Sequence, residues 1–239
     1  MQGSFRLTDS QASRLRKLVR LYPKPKMGES WRHLTPDELW LKVLSQIIVV
    51  GNAAPVDTLE RSEAIKKKLA FSRLKRLGLQ QRRHVLHSML QEIGTRYVGK
   101  KTPNRKVDAA VHNFEALDDA GGPEKFFDQV AAFHTEEERI QFLSNRKTLK
   151  YFGKTGARDT LIELGLAKKC LALGARILGL LKEVGVEIKK GSLDRNYEEI
   201  EDELIEKVAE PLGVSGGRLD RILFQNYDKI LQDFTGRES

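Results

Sequence analysis

Several features of other protein classes are scarce or missing in this chain. It has one cysteine among 239 residues, Cys170, whereas disulfide frameworks need pairs and structural zinc or iron–sulfur sites usually take two to four thiolates. The longest apolar run, 43–50, is interrupted by Ser45 and Gln46 and is far shorter than the roughly 20 residues that span a bilayer. Residues 1–6 lack the apolar core of a secretory signal. These absences argue against secreted, membrane-spanning and metal-cluster proteins and predict a reducing, cytoplasmic compartment.

Positive charge, by contrast, is abundant and unevenly distributed. The chain has 42 Lys and Arg against 33 Asp and Glu, a formal net charge of +9. The stretch 61–106 has 14 basic residues against two acids, 146–176 has eight against two, and 192–210 has eight acids against two basic residues. Such polarity favours a polyanionic partner, and nucleic-acid phosphates are the commonest large polyanions of a cytoplasm. The alternative is that the runs are solvated helix faces that maintain solubility, and charge alone leaves both interpretations open.

The apolar residues recur mostly with helical periodicity, which predicts an all-α protein. Thr8 or Asp9 caps a helix through about Leu21, and the Thr-Pro-Asp-Glu at 35–38 starts a central apolar helix that ends at 51–55. Further helices are predicted between Ser72 and Gly78 and at 80–97, 105–118, 124–133, 136–144, 156–164, 174–184, 196–209 and 216–232.

The chain is predicted to form one unit, 1–239, of two helical lobes. The first lobe covers about 34–135 and contains the basic helices. The second covers about 136–239 together with the N-terminal helix 8–22. The loop-like joints at 99–104 and 121–123 are too short to be free linkers.

The most informative stretch is 149–165, Leu-Lys-Tyr-Phe-Gly-Lys-Thr-Gly-Ala-Arg-Asp-Thr-Leu-Ile-Glu-Leu-Gly. It predicts a hairpin at 146–165, with a short helix to about 151, a tight turn at 152–154 and a second helix. Such a hairpin directs backbone N–H groups and the positive end of a helix dipole toward one point, which suits a phosphate. An ordinary glycine-containing corner is the alternative. The predicted DNA contacts are Lys150, Gly153, Lys154, Thr155, Gly156 and Arg158, with Arg82 and Arg83 from the first basic block.

In this hairpin and the segments after it, 164–166 and 171–178, the chain resembles the helix-hairpin-helix (HhH-GPD) superfamily of base-excision-repair DNA glycosylases. Gly153 matches the second glycine of that superfamily's Gly-x-Gly turn, and Tyr151 occupies the place of the first. The resemblance covers about 34–184 and implies a two-lobed helical fold. Three more stretches are similar: 39–48 to the central helix whose Ser-Gln lies near the lesion pocket, 51–55 to a loop that probes the duplex, and 72–79 to the short helix before the long basic helix.

The resemblance also implies two catalytic positions. An aspartate at the start of the helix after the hairpin stabilises positive charge on the sugar as the base leaves, or helps to activate the nucleophile. Members that also cleave the strand have a lysine on the second hairpin helix that forms a Schiff base. The aspartate position is Gly174 and the lysine position is Thr155, and neither residue has the required chemistry.

Three explanations stay open at this point. The match is displaced by a residue or two, and Lys154, Asp159 or Lys169 has a catalytic role, with Lys154 as the first choice because it is adjacent to the lysine position. A native aspartate has been replaced to trap a DNA complex. The chain is a diverged member that binds DNA without the standard chemistry.

Other catalytic patterns have little support. Among five histidines only His84 and His87 have a metal-like spacing, and an i,i+3 pair in a basic helix more often lines a surface groove because a metal needs a third ligand. Cys170 has no adjacent histidine and is predicted to be a buried structural thiol. Neither a Walker A nor a Rossmann glycine pattern is present. The acidic stretch 194–210 is predicted to be a solvated outer face.

The sequence therefore predicts a monomeric, nucleoid-associated repair protein that binds double-stranded DNA, with no membrane contact. Its predicted activity is N-glycosylase action, with a possible added lyase step, on a damaged or mispaired base flipped into a cleft between the lobes. No cofactor is predicted apart from the hairpin as a candidate site for a monovalent cation, and one cysteine excludes the superfamily's iron–sulfur branch. A catalytically silent DNA-structure-binding protein and a helical module for an acidic protein partner are the alternatives. The candidates for the base pocket and wedge are Gln46, Asn52, Trp31 and Tyr151.

Overall fold

A computed structural model describes residues 5–22, 25–99, 104–186, 188 and 193–235. Over these residues the chain forms helices and no β-strand, which confirms the predicted all-α class. The α-helices are α1 (Asp9–Leu21), α2 (Pro36–Val49), α3 (Ala54–Arg61), α4 (Glu63–Leu69), α5 (Phe71–Leu74), α6 (Leu79–Glu92), α7 (Arg105–Asp119), α8 (Pro123–Ala132), α9 (Glu136–Ser144), α10 (Lys154–Glu163), α11 (Ala175–Glu183), α12 (Tyr197–Leu204), α13 (Gly216–Gln225) and α14 (Tyr227–Thr235).

These helices group into two units. The first unit is Glu29–Thr160, and the second joins the described parts of Met1–Gly28 and Leu161–Ser239. The lobes predicted from the sequence meet at about 135, before the hairpin. The division in the structure falls inside α10, which forms the second arm of the hairpin.

Helix α2 is the central apolar element of the first unit. Its N-terminus has a capping box, in which the Thr35 hydroxyl accepts from the Glu38 backbone N–H at 3.3 Å and the Glu38 carboxylate accepts from the Thr35 N–H at 2.8 Å. Trp40 on the buried face donates from Nε1 to Leu69 O at 2.9 Å, and its ring centroid lies 5.4 Å from that of Phe114. The other buried residues of α2 are Leu39, Val43, Leu44, Ile47 and Ile48.

Removing the cap of α2 is expected to destabilise the protein. Thr35→Ala should lower the free energy of unfolding by about 1 kcal/mol because the Glu38 N–H loses its acceptor. The hydrogen bond from the Thr35 backbone N–H, followed by that from its hydroxyl, holds the pKa of Glu38 below its usual range. The stability that ionised Glu38 adds relative to Glu38→Gln is therefore full at neutral pH and lost as pH falls through the lowered pKa. Urea unfolding of wild type and both variants from pH 7 to pH 3 measures this. A wild-type advantage over Glu38→Gln that stays constant down to pH 3 would contradict it.

The second unit packs α1 and α11–α14 around its own apolar core. Helix α12 continues into a π-helical segment, Ile205–Ala209, and then a 3-10 turn, Glu210–Leu212. The prediction of a single helix at 216–232 is wrong, because α13 ends before Asn226 and α14 begins after it. Asn226 donates from Nδ2 to Ile222 O at 2.8 Å and so competes with the helical pattern.

Two other boundaries differ from the predicted ones near the candidate site. The helix predicted at 80–97 ends at Glu92, and the chain turns through Gly94, which has a φ of 74°. The first hairpin arm, predicted as a helix at 146–151, is a turn in which the N–H groups of Thr148 and Leu149 donate to Asn145 O at 2.8 and 3.1 Å. Helices α3 and α4 were not predicted, and residues 100–103 of the predicted joint at 99–104 lie outside the described residues.

Candidate nucleic-acid interface

The hairpin consists of a turn followed by α10. Tyr151, at the first glycine position of the motif, has a φ of 63°, the left-handed conformation that glycine adopts without strain. Gly153, at the second position, is exposed, and a Cβ built on it would meet no atom within 4 Å. The N–H of Ala157 donates to Gly153 O at 2.9 Å, at the start of the helix. The turn therefore has a left-handed residue at the motif's first glycine position, although that residue is a tyrosine.

A buried asparagine holds the start of this hairpin. Asn113 on α7 is fully buried, and its side chain pairs with both backbone groups of Lys150: Oδ1 accepts from the N–H at 2.6 Å and Nδ2 donates to the carbonyl at 3.0 Å. Two bonds to one residue fix its position as well as satisfying a buried amide. Asn113 was not among the predicted site residues, and its only sign in the sequence is a polar residue within the apolar face of α7.

Gln46 connects α2 to α10. Its Nε2 donates to Asp159 Oδ2 at 2.8 Å, and its Oε1 lies 3.2 Å from the place that a Cβ on Gly156 would take. Gly156 therefore leaves room for the Gln46 amide. Asp159 lies one helical turn after Thr155, so the two side chains share a face of α10. The structure thus brings a predicted base-reading residue, Gln46, to one of the alternative catalytic residues, Asp159.

Arg158 differs from the other predicted hairpin contacts. Gly153 is exposed, and Lys150, Lys154, Thr155 and Gly156 are half-buried. Arg158 is only 1% exposed, and its Nη1 donates to Lys154 O at 3.4 Å. Because its guanidinium lies inside the protein, Arg158 is not placed to contact a phosphate, contrary to the prediction.

The two arginines predicted from the first basic block also differ. Arg82 is buried, its guanidinium carbon lies 4.0 Å from the centroid of the Phe114 ring, and its Nε donates to Leu74 O at 3.3 Å. Arg82 therefore stabilises the core and is not placed to contact DNA, contrary to the prediction. Arg83 pairs with Asp108 but is only half-buried, and because 36% of its side chain is exposed it remains accessible.

The loop predicted to probe the duplex lies beside an exposed aromatic residue. Tyr97 is 67% exposed and has a φ of 68°, which is uncommon outside glycine. The guanidinium carbon of Arg96 lies 4.8 Å from the Tyr97 ring centroid, and Arg96 Nη1 donates to Gly51 O at 3.0 Å. Val49 and Val50 are also exposed. We call these five residues, Val49, Val50, Gly51, Arg96 and Tyr97, the Tyr97 surface; the sequence placed Arg96 and Tyr97 in a helix.

A buried lysine supports the Tyr97 surface. Lys106 is 1% exposed, and its Nζ donates to Ile48 O at 3.3 Å and Val50 O at 2.8 Å, at the C-terminal end of α2. These carbonyls have no partner within the helix, so the ammonium satisfies them. Burial, followed by the charge of Arg96, lowers the pKa of Lys106. Although Lys106 is counted in the basic block 61–106, its ammonium is buried against backbone carbonyls and adds no exposed charge.

Of the remaining base-pocket candidates, one is exposed and one is interior. Asn52 is exposed, and its Oδ1 accepts from the Ala54 N–H at 3.1 Å at the start of α3. Trp31 is buried, and the guanidinium carbon of Arg32 lies 4.6 Å from its ring centroid. Trp31 is therefore not placed to stack on a base, whereas Tyr97, at 67% exposed, is accessible.

Gly174 lies in the second unit, at the N-cap of α11. Its φ of −80° and ψ of 174° are extended values that any residue adopts, and it is half-buried. The three residues before it are fixed by buried side chains. Their N–H groups donate as follows: Leu171 to Glu201 Oε1 at 2.7 Å, Ala172 to Asp220 Oδ1 at 2.8 Å, and Leu173 to the Tyr197 hydroxyl at 2.8 Å.

The acidic stretch 194–210, which was predicted to be a solvated outer face, is only partly solvated. Asp202, Glu206 and Glu210 are exposed, but Glu201 is buried against the segment that leads to Gly174. A carboxylate that accepts a backbone N–H in the interior contributes order as well as charge.

Lys169, the third alternative catalytic residue, is exposed, and its backbone is closely packed. A Cβ on Gly216 would lie 2.1 Å from Lys169 O, so only glycine fits at 216. Gly217 N–H donates to Lys168 O at 2.8 Å. The neighbouring Cys170 is buried, as predicted.

Two absences concern the part of the chain that the structure describes. No group of three or more His, Cys, Asp or Glu in those residues is placed to hold a metal ion. No helix there is both long enough and apolar enough to cross a bilayer.

Comparison with solved structures identifies the class of fold. The helices of this chain have the arrangement seen in 8-oxoguanine DNA glycosylases, which confirms the helix-hairpin-helix glycosylase resemblance at the level of the fold. No family model and no curated protein matches the chain.

Two structures illustrate this similarity. The 8-oxoguanine DNA glycosylase of Methanocaldococcus jannaschii is 18% identical, with a TM-score of 0.64 over 95% of this chain and 94% of that one. The 8-oxoguanine DNA glycosylase of Thermotoga maritima is 20% identical, with a TM-score of 0.59 over 90% of this chain and 86% of that one.

Proposed function

We propose that this protein binds duplex DNA as a base-excision-repair protein, with the hairpin as its main phosphate contact. The observation that carries the proposal is the hairpin within a glycosylase fold: Asn113 fixes Lys150, Tyr151 adopts the glycine conformation, and α10 begins at Lys154. A helix N-terminus beside lysine side chains favours a phosphate through the helix dipole and through charge.

The Tyr97 surface is the second part of the proposed interface. An exposed tyrosine with an arginine over its ring offers an aromatic face for a base and a cation for a phosphate. We propose that Tyr97 contacts the duplex at the place where a base leaves the stack. The bonds from Arg96 to Gly51 O and from Lys106 to Val50 O hold the backbone beside Tyr97, and the Arg96 guanidinium covers one face of its ring.

For the reaction, we propose cleavage of the N-glycosidic bond of a damaged base, with Asp159 as the carboxylate. The bond from sugar C1′ to the base nitrogen breaks, and the base leaves with the bonding electrons. Water adds to C1′ and loses a proton, which the departed base nitrogen takes up. An ionised carboxylate beside C1′ stabilises the positive charge that develops on the sugar. Asp159 is suited because it shares a face of α10 with Thr155 and is oriented by Gln46.

A silent DNA-binding protein is the second candidate function. It is favoured by one observation: the position of the superfamily's aspartate is Gly174, and that of its lysine is Thr155. The extended backbone at Gly174 accepts aspartate without strain, and aspartate is a preferred N-cap residue. Gly174→Asp should therefore fold and supply the missing carboxylate.

Binding is tested by the affinity for a duplex of about 20 base pairs as a function of salt. Phosphate contacts release counterions, so the logarithm of the association constant should fall linearly with the logarithm of salt concentration, with a slope of roughly −0.9 for each phosphate neutralised. Negligible affinity at low salt would refute both candidate functions.

Activity is tested by release of the base from a panel of lesion duplexes, led by 8-oxoguanine because both similar structures are glycosylases for that base. We expect release by the wild-type protein and a loss of about 100-fold or more in Asp159→Asn, which keeps the shape of the side chain and removes its charge. Gly174→Asp should raise the rate. Release only by Gly174→Asp, or by neither protein, would favour the silent DNA-binding protein.

A further inference from the structure

A pocket of about 300 Å³ lies between α6 and the start of α7 in the first unit. Four of its lining residues have i, i+3, i+4 and i+7 spacing on α6, so one face of that helix forms a wall. The pocket shares no residue with the hairpin or the Tyr97 surface. The described residues that line it are Gln80, Arg83, His84, His87, Asn104 and Val107, and none of these is a carboxylate.

The wall from α6 offers hydrogen-bond donors. Among the described residues, the Gln80 amide and the His84 ring have no hydrogen-bond partner, and both side chains are exposed. Arg83 is paired through Nη1 with Asp108, and its guanidinium has further N–H groups. His87 Nε2 lies 2.8 Å from Gly99 O and donates to it, because a carbonyl only accepts, so Nδ1 is its second polar atom.

The wall from α7 is already satisfied. Asn104 Oδ1 accepts from the N–H groups of Lys106 and Val107 at 3.1 and 3.3 Å, and its Nδ2 donates to Tyr97 O at 3.0 Å. A ligand is therefore held by the α6 side chains rather than by the helix N-terminus. Val107 adds an apolar contact on this side.

We propose that this pocket binds a phosphoryl group carried by a nucleotide, either free or within a DNA strand. Guanidinium and imidazole donors in a lining without carboxylates suit phosphate oxygens. The volume leaves room for a sugar beside the phosphate. The surrounding stretch, 61–106, is the most basic of the chain and raises the local concentration of anions. Because its residues differ from those of the hairpin, the site stands whether or not the hairpin binds DNA.

The direct test uses inorganic phosphate and the full chain. Phosphate is titrated at constant ionic strength while the histidine ring resonances are followed by NMR. We expect saturable shifts at His84 and His87 and none at the exposed His33 and His134. Arg83→Gln combined with His84→Gln should weaken the apparent affinity about tenfold or more, since each removes a charge-assisted or ring N–H donor.

The control is Gln81→Ala, on the same helix but outside the pocket lining, which should bind phosphate like the wild type. Circular dichroism of each variant checks that it is folded. Absence of saturable shifts at His84 and His87, or equal affinity in the double variant and the wild type, would overturn the proposal.

Two further titrations distinguish the source of the phosphoryl group. If a DNA duplex shifts His84 and His87, and excess inorganic phosphate moves these resonances to the positions of the phosphate-bound protein, the ligand is a phosphodiester of the strand. If a deoxynucleoside monophosphate shifts them and the duplex does not, the ligand is a free nucleotide. A protein that takes up phosphate in the pocket but fails to bind duplex DNA would refute the proposed function and leave this site intact.

Discussion

Replacing Lys150 and Lys154 together by glutamate is expected to lower the affinity for duplex DNA about 100-fold at low salt. Each lysine would lose a charge-assisted hydrogen bond to a phosphate, worth about 1.5–3 kcal/mol, and every 1.4 kcal/mol is about tenfold in affinity. The salt dependence should weaken as well, with the slope reduced by about two. Fluorescence anisotropy of a labelled duplex over a range of salt measures both effects.

The matched control is Lys182→Glu with Lys229→Glu, which makes the same change in net charge on exposed positions of α11 and α14. This variant should retain nearly the wild-type affinity at about 0.15 M salt, because neither lysine belongs to the hairpin and salt screens exposed charges. Equal losses in the two double variants would mean that overall charge attracts DNA and that the hairpin has no special role.

The helix starts are predictable from the sequence because their signals are local. Thr35 and Pro36 lie next to the helix that they start, and both occupy the expected cap and first helical positions. Thr8 caps α1 in the same way. Cap, proline and acidic residues act over three or four positions, so no tertiary information is needed to locate these ends.

The fate of each basic residue is not local, and the charge blocks do not reveal it. Arg82, Lys106 and Arg158 lie in the predicted DNA-binding blocks, yet all three are buried and donate to backbone carbonyls. The inward face of a helix is set by its packing partners. Long cationic side chains also reach buried acceptors, as Arg82 does at Leu74 O while its guanidinium lies over the Phe114 ring.

The residues of the candidate interface likewise fall into two groups: those that a local motif reveals and those that depend on contacts distant in the sequence. The glycine turn and Gln46 are visible in the sequence because a motif defines them. Asn113, which holds Lys150, is 37 positions away along the chain and carries no motif. Tyr97 was missed because periodicity extended α6 past Glu92, although the left-handed turn at Gly94 is local: the Thr95 N–H donates to Leu90 O at 2.9 Å. The conformation of Tyr97 is not local, because its carbonyl accepts from Asn104 Nδ2 at 3.0 Å.

Asp220→Ala is expected to cause the largest loss of stability, about 3 kcal/mol, because it leaves a buried backbone N–H without an acceptor and takes a carboxylate away from the buried Arg221 guanidinium. Asp220 is 1% exposed, accepts from the Ala172 N–H and lies 3.8 Å from Arg221 Nε. For a chain of this size the midpoint of thermal unfolding should fall by roughly 6–12 °C. Urea and thermal unfolding, followed by circular dichroism, measure the change.

Two controls separate the hydrogen bond from the charge. Asp220→Asn keeps the acceptor oxygen and should lose less stability than Asp220→Ala, whereas Asp202→Ala removes an exposed acid of α12 and should stay within about 0.5 kcal/mol of wild type. Amide exchange gives the local readout: the Ala172 N–H should exchange faster in Asp220→Ala, while the Leu171 N–H remains protected by Glu201. If Asp220→Ala is as stable as the wild type, Asp220 does not fix the segment 171–173. Combined with Gly174→Asp, Asp220→Asn should lower the rate of base release without changing DNA affinity, because the segment that positions residue 174 has lost its charged partner.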